Sequence, residues 1–230
     1  MTLTSPPATR LAEFTLAVRA RLGIPPPLDA AFQTSVEKAI ERAEASCAAE
    51  IVLVVRPESG SYGDVCWLTG AIVAWLTLWG ILFSEANVHP AWVPFEVLAV
   101  FCFAAWMCHS TAMRRWFVSR SRLDRRVRDG ANVAQFEEGI LKTPGGTGIL
   151  IYWSRLERRI IACPDPKVSD RVPADVWSSS TAALELAARS VDPRGPLIRA
   201  IADLGEKLAL HLPIPPGHLR VLSNRPRGTP

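Results

Sequence analysis

Asp165, Asp170 and Asp175 stand at five-residue intervals and form the chain's one acidic cluster. Carboxylates gathered in this way can hold a hard divalent cation such as calcium or magnesium, and such an ion could assist hydrolysis of a phosphomonoester. The same residues equally suit turn formation at Asp165 and helix-start chemistry at Asp170 and Asp175. Other chemistry is sparse. The run PGGTG (144–148) lacks the Walker pattern and reads as a turn. His89, His109, His211 and His218 show no zinc spacing. Ser61 and Ser154 have no nearby His, so a nucleophilic triad is not supported. No catalytic residue is assigned, the balance lies against an enzyme, and no cofactor beyond that cation is expected.

The elements that must position these residues are arranged around a long apolar tract. Residues 65–83 read VCWLTGAIVAWLTLWGILF, without a charge. At about 1.5 Å per residue this makes a helix of about 29 Å, close to a hydrocarbon core of about 30 Å. A second apolar segment, 95–113, is weaker because Glu96 and His109 interrupt it. A carboxylate at mid-membrane costs about 2.5–3.5 kcal/mol, so Glu96 belongs at the interface, where Pro94 and the positive end of the helix dipole suit it. His109 falls near the inner end, where helix packing accounts for it. The two segments and the loop 84–93 predict a transmembrane helical hairpin over 65–113.

Orientation follows from the flanks. Arg114, Arg115, Arg120, Arg122, Arg125, Arg126 and Arg128 come after the second span, whereas the loop 84–93 has no Lys or Arg. The positive-inside rule then puts the Arg-rich side in the cytoplasm, beside anionic lipid head groups. Trp67 and Trp116 fall at the inner ends and Trp79 and Trp92 toward the outer ends, as an aromatic belt would.

Composition agrees. Of the 230 residues 49% are hydrophobic, and the net charge of +4 owes much to the Arg cluster, which argues for a lipid face and against a nucleic-acid partner. Cys47, Cys66, Cys102, Cys108 and Cys163 are odd in number and lack metal-ligand spacing, so free thiols in a reducing compartment are expected.

The rest of the chain supplies one domain of modest size. Residues 1–28 are an N-terminal extension with a Pro linker at 25–27. Glu13, Arg19 and Arg21 break any apolar core, so a signal peptide is not expected there. Its residues Leu11, Phe14, Val18 and Leu22 recur at helical spacing, which suits a helix lying on the membrane surface or docking on the protein. A first half-domain, 29–64, holds a helix capped by Asp29 and the apolar strand 50–55. A second half, 114–212, holds a helix over 119–141, strands 148–153 and 158–162, and helices from Pro173 to about 189 and from Pro196 to about 212. Residues 213–230 form a polar C-terminal tail. Helix, strand, spans, helix, strand, strand, helix, helix is the order of an α/β sandwich, a small central sheet covered by helices and interrupted by the hairpin.

Five stretches carry a resemblance: IERAEASCAAEIVLVV (40–55), FEEGILKTPGGTGILIYWSRLERRI (136–160), VPADVW (172–177), IADLGEKLALHLP (201–213) and PPGHLRVLSN (215–224). Their order resembles the TPM-domain family, in the bacterial branch with a membrane hairpin inside the domain. That resemblance implies a compact α/β fold with a short sheet between helices. The family includes thylakoid proteins tied to photosystem repair and an animal receptor regulator, and acid phosphatase activity has been proposed for some plant members. For the bacterial branch it implies a membrane protein of unassigned role. The sequence departs from the pattern at CPDPKV (163–168), where relatives tend to carry an Asp–Arg–Gly-like turn. Loss of that Gly weakens the case for an ion or phosphate site there.

These readings converge on a multi-pass protein of the bacterial inner membrane with both termini cytoplasmic. Its TPM-like domain is expected to act as a membrane-tethered interaction or assembly module, with lipid and a membrane protein as partners. The alternative is a metal-assisted acid phosphatase using Asp165, Asp170 and Asp175.

Overall fold

The structure is a computed structural model, and it describes residues 29–84, 89–108, 118–143, 145–215, 222 and 226–228. The N-terminal extension, His109, Arg114, Arg115, Trp116 and most of the tail therefore lie outside the described residues. The chain divides into two compact units, Met1–Ser59 with Asp124–Pro230, and Gly60–Leu123.

The larger unit is built on β1 (Glu50–Arg56), β2 (Gly148–Ser154) and β3 (Arg159–Pro164), with a two-residue β4 (Arg227–Gly228). The sheet order is β3-β2-β1-β4. β1 and β2 run parallel in the register Glu50↔Gly148 to Arg56↔Ser154, β2 and β3 are antiparallel, and β4 pairs in parallel with Val54 and Val55. β1 is central, as its unbroken apolar run requires, because both of its faces are covered.

Side-chain alternation along the strands splits the core in two. Ile51, Leu53, Val55, Ile149, Ile151 and Trp153 face one cluster, shared with α1 (Ala30–Ser46) and two later helices. Val52, Val54, Leu150 and Tyr152 face the other, against Val127, Ala131 and Ala134. Those three lie on α4 (Arg120–Glu137), the numbers α2 and α3 being taken by the intervening unit. A mixed α/β fold results, a small sheet flanked by helices. Asp29 caps α1 as expected, accepting from the Phe32 amide at 2.9 Å.

Several boundaries differ from expectation. α4 stops at Glu137, four residues early, because Gly139 takes a left-handed φ of 67° and a 3-10 turn, Ile140–Lys142, follows. β3 runs on to Pro164, so Cys163 pairs with Leu150 inside the sheet and is no part of a turn. A short helix α5 (Pro166–Arg171) was not expected; Asp165 is its N-cap and Pro166 sits in its first turn. The last helices are α6 (Ala174–Arg189) and α7 (Arg194–Ala209).

The tail also does more than a polar appendage would. Beside the β4 pairing, the Leu222 amide donates to buried Glu50 at 2.9 Å, and Arg227 pairs with Glu138. At the opposite edge, Arg159 on β3 joins the two helical layers, reaching Asp124 of α4 at 2.6 Å and Glu185 of α6 at 3.4 Å.

Helices α1 and α7 approach closely at Gly205, where an added Cβ would lie 2.4 Å from the Ala43 Cβ and 2.6 Å from its Cα. In an open helix Gly→Ala stabilises by about 1 kcal/mol. Here the clash is with backbone, and overpacking of that kind costs about 1–3 kcal/mol. Gly205→Ala is therefore expected to lower the thermal midpoint. Gly195→Ala, where a Cβ would meet nothing within 4 Å, should leave it unchanged or raise it. A Gly205→Ala protein at least as stable as the parent in a melting experiment would contradict this packing.

Candidate membrane interface and acidic turn

The smaller unit contains α2 (Gly63–Leu82) and α3 (Val93–Cys108), packed as a hairpin. Their contact is made of small residues. Cys66, Gly70 and Ala74 recur every four positions on α2 and are buried; Ala104 and Cys108 do the same on α3. At Gly70 a Cβ would come within 3.1 Å of the Phe101 carbonyl oxygen and 3.2 Å of the Ala105 Cβ, so the backbones nearly touch. Thr69 faces Cys108, with Oγ1 and Sγ 4.0 Å apart.

The large side chains point the other way. Trp67, Leu68, Trp75, Phe83 and Trp106 are 57–75% exposed. A water-soluble helix pair would bury the large residues and show the small ones. Fifteen large apolar side chains are exposed between Trp67 and Met107; burying them would be worth roughly 1 kcal/mol or more each, a gain comparable with the whole stability of an ordinary domain, about 5–15 kcal/mol. Packing through small residues with large ones outward is how helices associate in lipid. By length and composition α2 is a candidate membrane span, mostly unburied in the fold, and it is the one such helix among the described residues; α3 has 16 residues. α2 matches the expected first span to within two residues.

Of the basic residues expected to orient the hairpin, Arg120, Arg122, Arg125, Arg126 and Arg128 lie on α4. Arg122 pairs with Asp64, at the start of α2, at 2.5 Å. Arg120, Arg125, Arg126 and Arg128 are exposed and make no ion pair with the described residues.

The acidic cluster is dispersed over two helices. Asp165 is 6% exposed, its carboxylate accepts from the Lys167 amide at 3.0 Å, and its own amide donates to the Gly148 carbonyl at 2.8 Å. Gly146, at φ 62°, lies against Asp165 and Lys167, where a Cβ would come within 2.5 Å of the Lys167 side chain. Asp170 is exposed in the body of α5, not at a helix start, and Asp175 is exposed in the first turn of α6. Among the described residues no group of three or more His, Cys, Asp or Glu side chains is placed to hold a metal ion. None of the five Cys is in a disulfide bond, and burial pushes the Cys163 thiol up from its ordinary value, away from nucleophilic character.

A second polar group went unread in the sequence. Where β1 and β2 end, Glu157 accepts from the Ser154 hydroxyl and from the Ser59 amide, the latter at 3.1 Å, and the Ser59 hydroxyl meets the Tyr152 hydroxyl at 3.1 Å. Ser154 is fully buried, so this group fixes the strand ends and offers nothing to a substrate. Only the three-residue spacing of Ser154 and Glu157 hinted at it.

No known protein family matches the chain, and no curated protein does. Among solved structures, the NMR structure of BA42 protein from the psychrophilic bacterium Bizionia argentinensis is similar at 16% identity, over 88% of this chain and 95% of that one, with a TM-score of 0.49. Likeness at that level assigns neither a family nor an activity.

Asp165→Ala removes a helix cap and is expected to destabilise the fold by about 1 kcal/mol. Asp170→Ala, at an exposed site, should stay within about 0.5 kcal/mol of the parent. Chemical denaturation of the two variants checks this; equal losses from both would show that α5 is not held by its cap.

Proposed function

We propose that this is an integral membrane protein of the bacterial inner membrane, a TPM-like α/β domain interrupted by a two-span hairpin, acting as a membrane-tethered interaction or assembly module. One observation carries the reading: a helix pair that buries Gly and Ala and presents Trp, Leu and Phe outward.

Topology adds a constraint on the number of crossings. β1 lies before the hairpin and β2 after it, and the two are hydrogen-bonded neighbours along their whole length. The chain that leaves one side of a bilayer after β1 must therefore be back on that side before β2. Crossings have to be even in number. If α2 crosses, the segment beginning with α3 returns. At about 1.5 Å per residue its 16 described residues span about 24 Å, somewhat less than a hydrocarbon core of about 30 Å. The Arg-rich side is then cytoplasmic, with anionic lipid beside Arg120, Arg125, Arg126 and Arg128.

The module reading is supported by what the domain offers: a sheet whose edge strands are tied by Arg227 to Glu138 and by Arg159 to Asp124 and Glu185. The partner is expected to be another membrane protein.

Reporter fusions at Ser5 and Thr229 are expected to map to the cytoplasm and a fusion in the loop at Asn87 to the outside, with the protein retained in carbonate-washed membranes. Opposite locations for the two termini, or release by carbonate, would overturn the membrane reading. Repeated recovery of the protein alone from mild detergent extracts would overturn the assembly role while leaving the topology intact.

A further inference from the structure

The outer face of α4 carries a pattern that its role in the domain does not need. Val127, Ala131 and Ala134 are buried against the sheet. Steps of three and four residues keep to one side of a helix, so Arg125, Asp129, Asn132 and Phe136 form a row on the side away from them, and all four are exposed. Arg126 and Arg128 flank that row and are exposed too. Toward its far end the face turns apolar: Val133, Phe136 and, in the 3-10 turn beyond, Leu141 are 51–75% exposed.

Charge on this face is one-sided. Of the acids on α4, Asp124 pairs with Arg159 at 2.6 Å and Glu137 with Arg56 at 3.4 Å. Asp129 is left against Arg120, Arg125, Arg126 and Arg128, which make no ion pair with the described residues. Unmatched arginines around a bare Phe and Val are what a helix lying on anionic lipid presents. The guanidinium groups reach the phosphates, and the apolar side chains enter the boundary between head groups and acyl chains.

An ion pair fixes one end of the helix. Arg122 pairs with Asp64, in the first turn of α2, at 2.5 Å. Where α2 crosses a bilayer, the first turn of α4 therefore stands at its cytoplasmic interface. Phe136 lies fourteen residues further on, about 21 Å along the axis. A helix rising from the membrane would hold Phe136 in water at that height. One running along the membrane sets the same ring at the edge of the acyl chains.

We propose that α4 lies along the cytoplasmic face of the bilayer, with its arginines on anionic phospholipid head groups and Phe136 and Val133 at the acyl boundary. The helix is then the face by which the α/β domain meets the membrane. This orientation presupposes the spanning hairpin, which by itself leaves the domain free to stand away from the surface.

The test places the photocrosslinking residue p-benzoylphenylalanine at Phe136, or at Trp75 of α2, in the purified full chain. The protein is reconstituted in vesicles of phosphatidylcholine and phosphatidylglycerol, with a short RNA in the buffer. Irradiation is expected to give a phospholipid adduct at both positions. Leaving out phosphatidylglycerol, or combining Arg125→Gln, Arg126→Gln and Arg128→Gln, should lower the adduct at position 136 about tenfold and leave that at position 75 unchanged. A lipid adduct at 75 with none at 136 would overturn the docked helix and spare the hairpin; no lipid adduct at either would overturn both. Crosslinking of position 136 to the RNA, to a second copy or within its own chain would also overturn the proposal, as would a lipid adduct there that ignores both changes of charge.

Discussion

Close backbone contact between α2 and α3 is the constraint on which the rest depends. Gly70 cannot carry a side chain without meeting the Phe101 carbonyl, and Cys66, Ala74, Ala104 and Cys108 line the same seam. With the seam filled by small residues, the large ones have nowhere to go but outward. Burying the apolar surface this leaves exposed would be worth about as much as the whole stability of an ordinary domain. By length and composition α2, 20 residues whose one charge, Asp64, lies in the first turn, is a candidate membrane span.

The sheet imposes the complementary constraint. A strand before the hairpin and a strand after it are neighbours from Glu50↔Gly148 to Arg56↔Ser154. An insertion between parallel strands is an exaggerated crossover connection, and the fold tolerates it because the strand ends are pinned locally. The Arg155 and Leu156 amides donate to the Arg56 and Pro57 carbonyls, and Glu157 holds Ser59.

Much of this was legible in the sequence. IVLVV and ILIYW are β-branched or aromatic runs too apolar for an exposed strand, so a central position follows from composition. α1 and α7 showed their stripes because each buries one face. What escaped did so for identifiable reasons. β4 is Arg227–Gly228 between prolines, with no alternation to read; pairing with β1 makes it a strand. α5 is six residues with one buried apolar side chain, Val168, although Asp165-Pro166 is a start signal that could have been recognised. Gly139 ended α4 by its backbone conformation, where helical periodicity suggested continuation. The candidate site was less legible than the fold. Even spacing grouped Asp165, Asp170 and Asp175, yet a turn between α5 and α6 sends them along two helices, and Asp165 spends its carboxylate on a cap.

Fluorescence of the purified protein in vesicles with brominated acyl chains distinguishes lipid from water around α2 and α3. Strong quenching relative to ordinary lipid is expected, since Trp75, Trp79 and Trp106 would face the chains while Trp153 stays buried in the sheet. Emission indifferent to bromine but quenched by iodide in the water would place those indoles in solvent and contradict it.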